Sequence, residues 1–284
     1  MADRAASVLA RLRNQAAASG RSFQLCLQLF CQEEFLRRLA VSDYKNHIIL
    51  KGGHLIYCLT EFSSRPTQDI DFLVQNIDNS IEQIKGILSD IIHSPCENDF
   101  ITYQITDIQL ISLDKKYPGL SAVLDARIKN TRTPVKIDFG FGDVIHPIKQ
   151  MQVIPTQLGD FTSPSVGSYP IETIVAEKID AILDLMEFTS RMKDYYDLYT
   201  ISRNFEINRD SLRTAIIKTF ANRDRKFDKD ALSTVIGFDQ DNEMQRKWDA
   251  FLKKTKLPVI ELSTILSAID DLIGPVWDSL YPNY

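Results

Sequence analysis

Lys51-Gly52-Gly53, followed after a short connection by Arg65-Pro66-Thr67-Gln68-Asp69-Ile70-Asp71-Phe72, decides how this chain is read. The two glycines close an apolar run, Ile48, Ile49 and Leu50, that reads as a strand. Asp69 and Asp71 alternate with Ile70 and Phe72. Successive side chains of a strand point to opposite faces, so both carboxylates are predicted on one face and the apolar pair on the other. Two carboxylates that close shift each other's pKa unless something positive stands between them. A divalent cation is the usual solution, and magnesium is typically held by one or two carboxylates plus substrate phosphates. Glycines let backbone approach a ligand, and a run of N–H groups can cradle phosphate. Either half alone is weak: Asp-x-Asp is usually a solvated strand end, and Gly-Gly after a strand is usually a turn. The order strand, Gly-Gly, helix, Asp-x-Asp strand is much more specific.

At these residues the chain resembles the nucleotidyltransferase superfamily of DNA polymerase β type, whose signature is a Gly-Gly or Gly-Ser turn followed by Asp-x-Asp or Asp-x-Glu. The fuller string, Leu50-Lys51-Gly52-Gly53 and then Arg65-Pro66-Thr67-x-Asp69-Ile70-Asp71-Phe72, is similar to the AbiEii/AbiGii (MenT-like) toxin nucleotidyltransferases. Gln32-Glu33-Glu34-Phe35-Leu36-Arg37-Arg38-Leu39 before Ser42-Asp43-Tyr44-Lys45 resembles the same family. On its own residues this stretch reads as a packing helix that backs a sheet.

The 284 residues suit one large domain or two modest ones, and 44% apolar with 25% charged content is ordinary for a globular protein. A net charge of −5 argues against a wholly basic nucleic-acid binder but leaves room for a local basic groove. Cys26, Cys31, Cys58 and Cys96 are scattered without a Cys-x-x-Cys pair, and His47, His54, His93 and His146 are dispersed. That pattern suggests neither a zinc site nor a disulfide framework. No apolar stretch reaches the roughly 18 residues of a membrane span, and the N-terminus lacks a signal-peptide core. A cytoplasmic protein with no membrane partner is expected.

Helices are expected at 2–18 and 22–40, the second capped by Ser22, then a strand at 47–51, a short helix at 53–60 and the Asp-x-Asp strand at 69–75. Ile81, Ile84, Ile87, Leu88 and Ile91 give a helix over 78–93. Runs at 100–113, 121–129 and 132–141, broken at Tyr117-Pro118-Gly119 and Asn130-Thr131, read as an antiparallel meander. Val135, Ile137, Phe139 and Phe141 alternate with Lys136, Asp138, Gly140 and Gly142, so Asp138 faces away from the apolar set. Residues 143–169 read as irregular, with a short strand near 151–154. Helices are expected next at 170–187, 190–203, 208–221, 228–236, 239–254 and 259–273. The expected fold is α+β: a nucleotidyltransferase α/β domain with N-terminal helices over 1–160, then a helical domain over 161–284. The polymerase β-like core, a mixed sheet backed by helices, is what the resemblance implies.

A second constellation lies in the helical half. Glu177-Lys178 comes after a buried stripe of Ile171, Ile174 and Val175. Arg191-Met192-Lys193-Asp194-Tyr195-Tyr196-Asp197-Leu198 places Arg191, Asp194 and Asp197 three apart on one helix face. Alone this is a salt-bridged face; in this order it again resembles the toxin family. The resemblance implies that Asp69, Asp71 and Asp138 hold Mg²⁺ or Mn²⁺, with Asp143 the rival to Asp138. It implies too that Gly52, Gly53, Arg65 and Lys178 take the NTP phosphates and that Asp194 belongs to the active site. Asp197 reads as a holder of Arg191 or Lys193. The implied activity is transfer of NMP from NTP to an RNA acceptor, tRNA in the best-understood relatives, with pyrophosphate leaving and an AbiEi-like antitoxin as partner. Transfer to a protein or small molecule, or a non-catalytic nucleotide-binding module, are the alternatives. Basic runs at Arg223-Asp224-Arg225-Lys226 and from Arg246 to Lys256 read as solvated helix faces, with RNA phosphate contact as the sharper alternative.

Overall fold

The structure, a computed structural model, describes residues 3–112 and 117–281. Ala2 and Leu113, expected in a helix and a strand, lie outside them. The chain divides into two compact units: Met1–Phe62, Pro66–Gly142 and Gln150–Ser168 in the first, Ser63–Arg65, Asp143–Lys149 and Tyr169–Tyr284 in the second.

The first unit begins with α1 (Arg4–Ser19) and α2 (Phe23–Val41), then β1 (Ile48–Lys51), α3 (Gly52–Leu59), β2 (Asp69–Val74) and α4 (Ile81–Ile92). The long strands β3 (Ile101–Ile111), β4 (Gly119–Ile128) and β5 (Thr131–Phe141) come next, and the short β6 (Gln150–Val153) and β7 (Ser165–Ser168) close the unit. Ser22 starts α2 by accepting from the Leu25 amide at 3.2 Å, satisfying one of the amides a helix start leaves unpaired. The strands make one mixed sheet in the order β3-β4-β5-β2-β1-β7-β6. β3, β4 and β5 are the antiparallel meander the sequence predicts. β2 runs parallel to β5 and antiparallel to β1. β7 is not legible in the sequence: Ser165-Val166-Gly167-Ser168 has little strand propensity, and it is extended because it pairs with β1, Leu50 opposite Ser168.

α2 backs the sheet as expected. Its Phe35 ring lies 6.2 Å from Phe72 and 6.5 Å from Tyr103, and Phe72 stacks on Phe139 at 6.0 Å. Each such buried ring contributes about 1.5–3 kcal/mol. The same helix carries buried polar groups. Gln28 and Gln32 both donate to the Gln68 carbonyl, at 2.8 and 2.7 Å, fixing the residue just before Asp69. Glu33 accepts from the Gln157 amide at 2.6 Å and Glu34 from Asn98 at 2.7 Å.

The second unit is helical: α5 (Ile171–Leu185), α6 (Met192–Asn204), α7 (Arg209–Asn222), α8 (Ala231–Ile236), α9 (Asn242–Thr255) and α10 (Leu262–Leu280). α10 outruns its expected end at residue 273, continuing through Gly274 and Pro275. Proline normally breaks a helix, but Val276 and Trp277 are buried and the Trp277 indole donates to the Lys229 carbonyl at 2.8 Å. Among the described residues no helix is long and apolar enough to cross a membrane. All four cysteines are free, three buried and Cys96 half-buried.

Candidate active site

Strand pairing lines up one charged row across the first unit. Lys51 of β1 stands opposite Asp71 of β2, Asp71 opposite Asp138 of β5, and Asp138 opposite Ser121 of β4. One row over, Asp69 stands opposite Lys136. Ile70, Phe72, Ile137 and Phe139 fill the other face and are buried, so the period of two that predicts the face also isolates it from the core. The Lys136 ammonium lies 3.0 Å from Asp138 Oδ2 and 3.5 Å from Asp69 Oδ2. Partial burial works against its charge, but Asp138 and Asp69 raise its pKa above the usual lysine value. Ser121 Oγ donates to Asp138 Oδ1 at 2.6 Å.

The glycine turn is shaped to this row. Gly52 opens α3 at φ +72°, and a Cβ there would stand 2.2 Å from Asp71 Oδ2. Only glycine lets the Asp71 carboxylate lie against the backbone at that point. Lys51 extends over Gly140, its ammonium 3.5 Å from where a Cβ would sit. Gly53 comes next in the first turn of α3, half-buried.

Asp69, Asp71 and Asp138 form an all-oxygen donor set whose chemistry suits a hard divalent cation such as Mg²⁺ or Mn²⁺. Among the described residues, no three His, Cys, Asp or Glu side chains stand close enough together to hold a metal as they are. The Lys136 ammonium sets a positive charge between Asp69 and Asp138, and Lys51 stands opposite Asp71.

The second unit gathers the other constellation. Lys178 of α5 is buried, its ammonium 2.8 Å from Asp194 Oδ1 and 2.7 Å from Asp197 Oδ2 on α6. Arg65 donates to both oxygens of Asp197, each at 2.7 Å, and Arg191 Nε donates to Asp194 Oδ2 at 2.6 Å. Burial opposes ionisation of Asp194, yet Lys178 and Arg191 together hold its pKa down at about 2. Burial likewise works against the Lys178 charge, but the two aspartates raise its pKa above the usual lysine value. Two cations and two carboxylates thus neutralise one another out of water, with Arg191 adding a third cation at the exposed edge. Asp194 also lies in the first turn of α6, where the helix dipole favours an anion.

Two expectations change here, those for Asp197 and Asp143. Asp197 holds Lys178 and Arg65 rather than Arg191 or Lys193, because a buried carboxylate takes the cations buried beside it. Arg65, expected on a phosphate, pairs with Asp197 through its fork. Asp143 belongs to a different cluster: Arg223 reaches Asp143 at 2.9 Å, Glu177 at 3.3 Å and Asp180 at 2.8 Å. With Arg225 paired to Asp184 at 2.6 Å, most of the basic run 223–226 serves internal ion pairs. The residues missed from sequence are Lys136, Ser121 and Gln32. Lys136 is visible as the polar neighbour of Asp138 in the alternating strand, but its partner Asp69 depends on the β2–β5 register.

Residues 34–273 match the family model described as nucleotidyl transferase AbiEii toxin, type IV TA system. Two crystal structures from Helicobacter pylori share the fold. One, described as a candidate nucleotidyltransferase, has 16% identity and a TM-score of 0.51 over 89% of this chain and 96% of its own. The other, JHP933, has 17% identity and a TM-score of 0.51 over 89% of this chain and 93% of its own. No curated protein matches the chain.

Proposed function

The chain belongs to the AbiEii family of nucleotidyltransferase toxins, and from that premise we propose that it transfers an NMP from an NTP to the 3′ end of an RNA, tRNA being the favoured acceptor. The observation that carries this reading is the pairing of Asp71 with Asp138 across β2 and β5, with Asp69 on the same face. Asp69, Asp71 and Asp138 are the residues that would hold Mg²⁺ or Mn²⁺. Such an ion, when bound, neutralises triphosphate charge and lowers the pKa of a hydroxyl nucleophile. Gly52 and Gly53 offer backbone N–H groups at the start of α3 for phosphate oxygens. Lys136 keeps the carboxylate face from carrying unopposed charge. On this reading Lys178 and Arg65 exchange part of their pairing with Asp194 and Asp197 for NTP phosphates, and Asp194 orients the nucleotide or the acceptor hydroxyl. The α-phosphorus is attacked and pyrophosphate leaves. The type IV system to which the family belongs supplies an antitoxin as partner.

Incubating the protein with radiolabelled NTPs, total cellular RNA and total protein tests the reading. The expected result is label on small RNA at its 3′ end. Label on a protein band moves the activity to protein modification, and label on neither polymer sinks the RNA reading. In the native host, expression without the antitoxin gene should slow growth, and Asp71→Ala should abolish that effect.

A further inference from the structure

The turn that leads into α6 holds a side chain that neither charged cluster uses. Phe188, in the 3₁₀ turn Met186–Phe188, is 84% exposed. An aromatic ring so open forgoes the burial energy that drives most rings inward. The turn is fixed on both sides. Lys247 of α9 donates to the Glu187 carbonyl at 2.6 Å. The Thr189 amide donates to the Met186 carbonyl at 3.2 Å, and the fully buried Thr189 accepts from the Arg191 amide at 2.9 Å. The ring is therefore held out on a braced mount rather than on a loop free to fold it in.

Two cations follow the ring along the chain, Arg191 and Lys193. Arg191 keeps its side chain 47% exposed while its Nε holds Asp194. Lys193 is exposed and makes no ion pair among the described residues. Lys178, Asp194 and Asp197 come next along the same pair of helices. Lys247 carries a further positive charge, partly matched by Glu243 at 2.8 Å. Aromatic faces flanked by cations are how proteins hold single-stranded nucleic acid: bases stack, phosphates pair, and any base serves because each has a π-face. Along the chain Phe188 stands between Glu187 and the polar run Thr189, Ser190 and Arg191.

We propose that Phe188 is a stacking platform for a base of the acceptor RNA strand, with Arg191 and Lys193 supplying charge for the adjoining phosphates. This rests on the RNA-acceptor reading and adds to it the element that grips the strand.

Binding of a fluorescent single-stranded oligoribonucleotide with a free 3′-OH tests it, using wild type, Phe188→Ala, Phe188→Trp and Lys193→Ala. Val259→Ala is the control, since Val259 is 86% exposed and lies outside the site. Phe188→Ala should weaken RNA binding about tenfold, the scale of one lost base stack. It should leave NTP binding, the melting temperature and the salt slope unchanged, and Phe188→Trp should restore affinity. Lys193→Ala should instead lower the salt slope by about one phosphate contact. RNA binding by Phe188→Ala equal to wild type overturns the platform alone, as does equal weakening by Val259→Ala, a failed rescue by Trp, or a loss of NTP affinity. Absence of RNA binding by the wild type overturns the acceptor reading and the platform with it.

Discussion

Asp71 and Asp138 stand directly opposite each other on parallel strands, in the row that also holds Lys51 and Ser121. Side chains paired in register on one face are near neighbours, and like charges so placed destabilise the sheet that carries them. Both carboxylates are half-buried there, with Lys51 opposite Asp71 in the same row and Asp138 supported by Lys136 and Ser121.

Replacing either partner should therefore separate activity from stability. Asp71→Asn and Asp138→Asn are expected to cut nucleotidyl transfer by about 10²–10³-fold or more, the scale of removing charge stabilisation from a reacting centre. Thermal unfolding should stay near the wild-type midpoint, because relieved repulsion between the two carboxylates offsets the weakened attraction to Lys136. Wild-type activity should disappear in EDTA and return with Mg²⁺ or Mn²⁺. Full activity of the wild type in EDTA would remove the metal from the mechanism.

Gly52→Ala should damage the same row from the backbone side. A left-handed alanine costs about 1–2 kcal/mol, and the added Cβ would meet Asp71 Oδ2 at 2.2 Å. The variant is expected to melt a few degrees lower and to lose most transfer, since Asp71 must move. Gly86→Ala is the control: nothing lies within 4 Å of the position a Cβ would take, and alanine there favours the helix. Wild-type kinetics for Gly52→Ala would show that Asp71 tolerates displacement.

Much of this is legible because a strand's period of two is a local rule. Asp69, Asp71 and Asp138 each fall on the polar face the alternation predicts. The sequence does not state register. That Lys136 meets Asp69, and that Arg65 meets Asp197 across 132 residues of chain, depends on tertiary pairing that no window of sequence contains. The same limit explains β7, which is a strand only because β1 offers an edge, and Asp143, whose partner Arg223 lies 80 residues on. Pro275 shows the opposite limit: the local rule that proline ends a helix is overridden where Val276 and Trp277 are buried.

Lys178 carries two expectations at once. Its removal leaves Asp194 with Arg191 and Asp197 with Arg65, each carboxylate buried and short of one partner. Breaking a buried ion pair from one side costs about 3–5 kcal/mol. Lys178→Ala should therefore melt well below wild type and, measured below that midpoint, should also bind NTP weakly. Lys226→Ala, on an exposed residue, should do neither. A normal melting temperature would mean the cluster is open to water. Normal NTP handling at reduced stability would make Lys178 purely structural.

Acid titration should expose the buried pair on α2. Glu33 is 3% exposed, and burial pushes its pKa up to about 7 despite Arg37 and the Gln157 amide, which pull it down. A carboxyl whose folded pKa exceeds its unfolded value of 4.5 is held more easily when protonated. Its contribution is complete below about pH 4.5 and is lost as pH rises through about 7. Over that window the loss is on the order of 3 kcal/mol, at roughly 1.4 kcal/mol per unit. Asp194, with its pKa near 2, contributes the opposite sign but only at lower pH: its stabilisation is present above about 4 and fades toward 2. Glu33→Gln keeps the shape and an oxygen for the Gln157 amide, and Arg37 keeps Glu34 at 2.8 Å and the Thr162 carbonyl at 2.6 Å. Denaturant unfolding from pH 4.5 to 7.5 should show Glu33→Gln gaining stability relative to wild type as pH rises. A constant difference between the two proteins across that range would mean that Glu33 keeps its ordinary pKa in the fold.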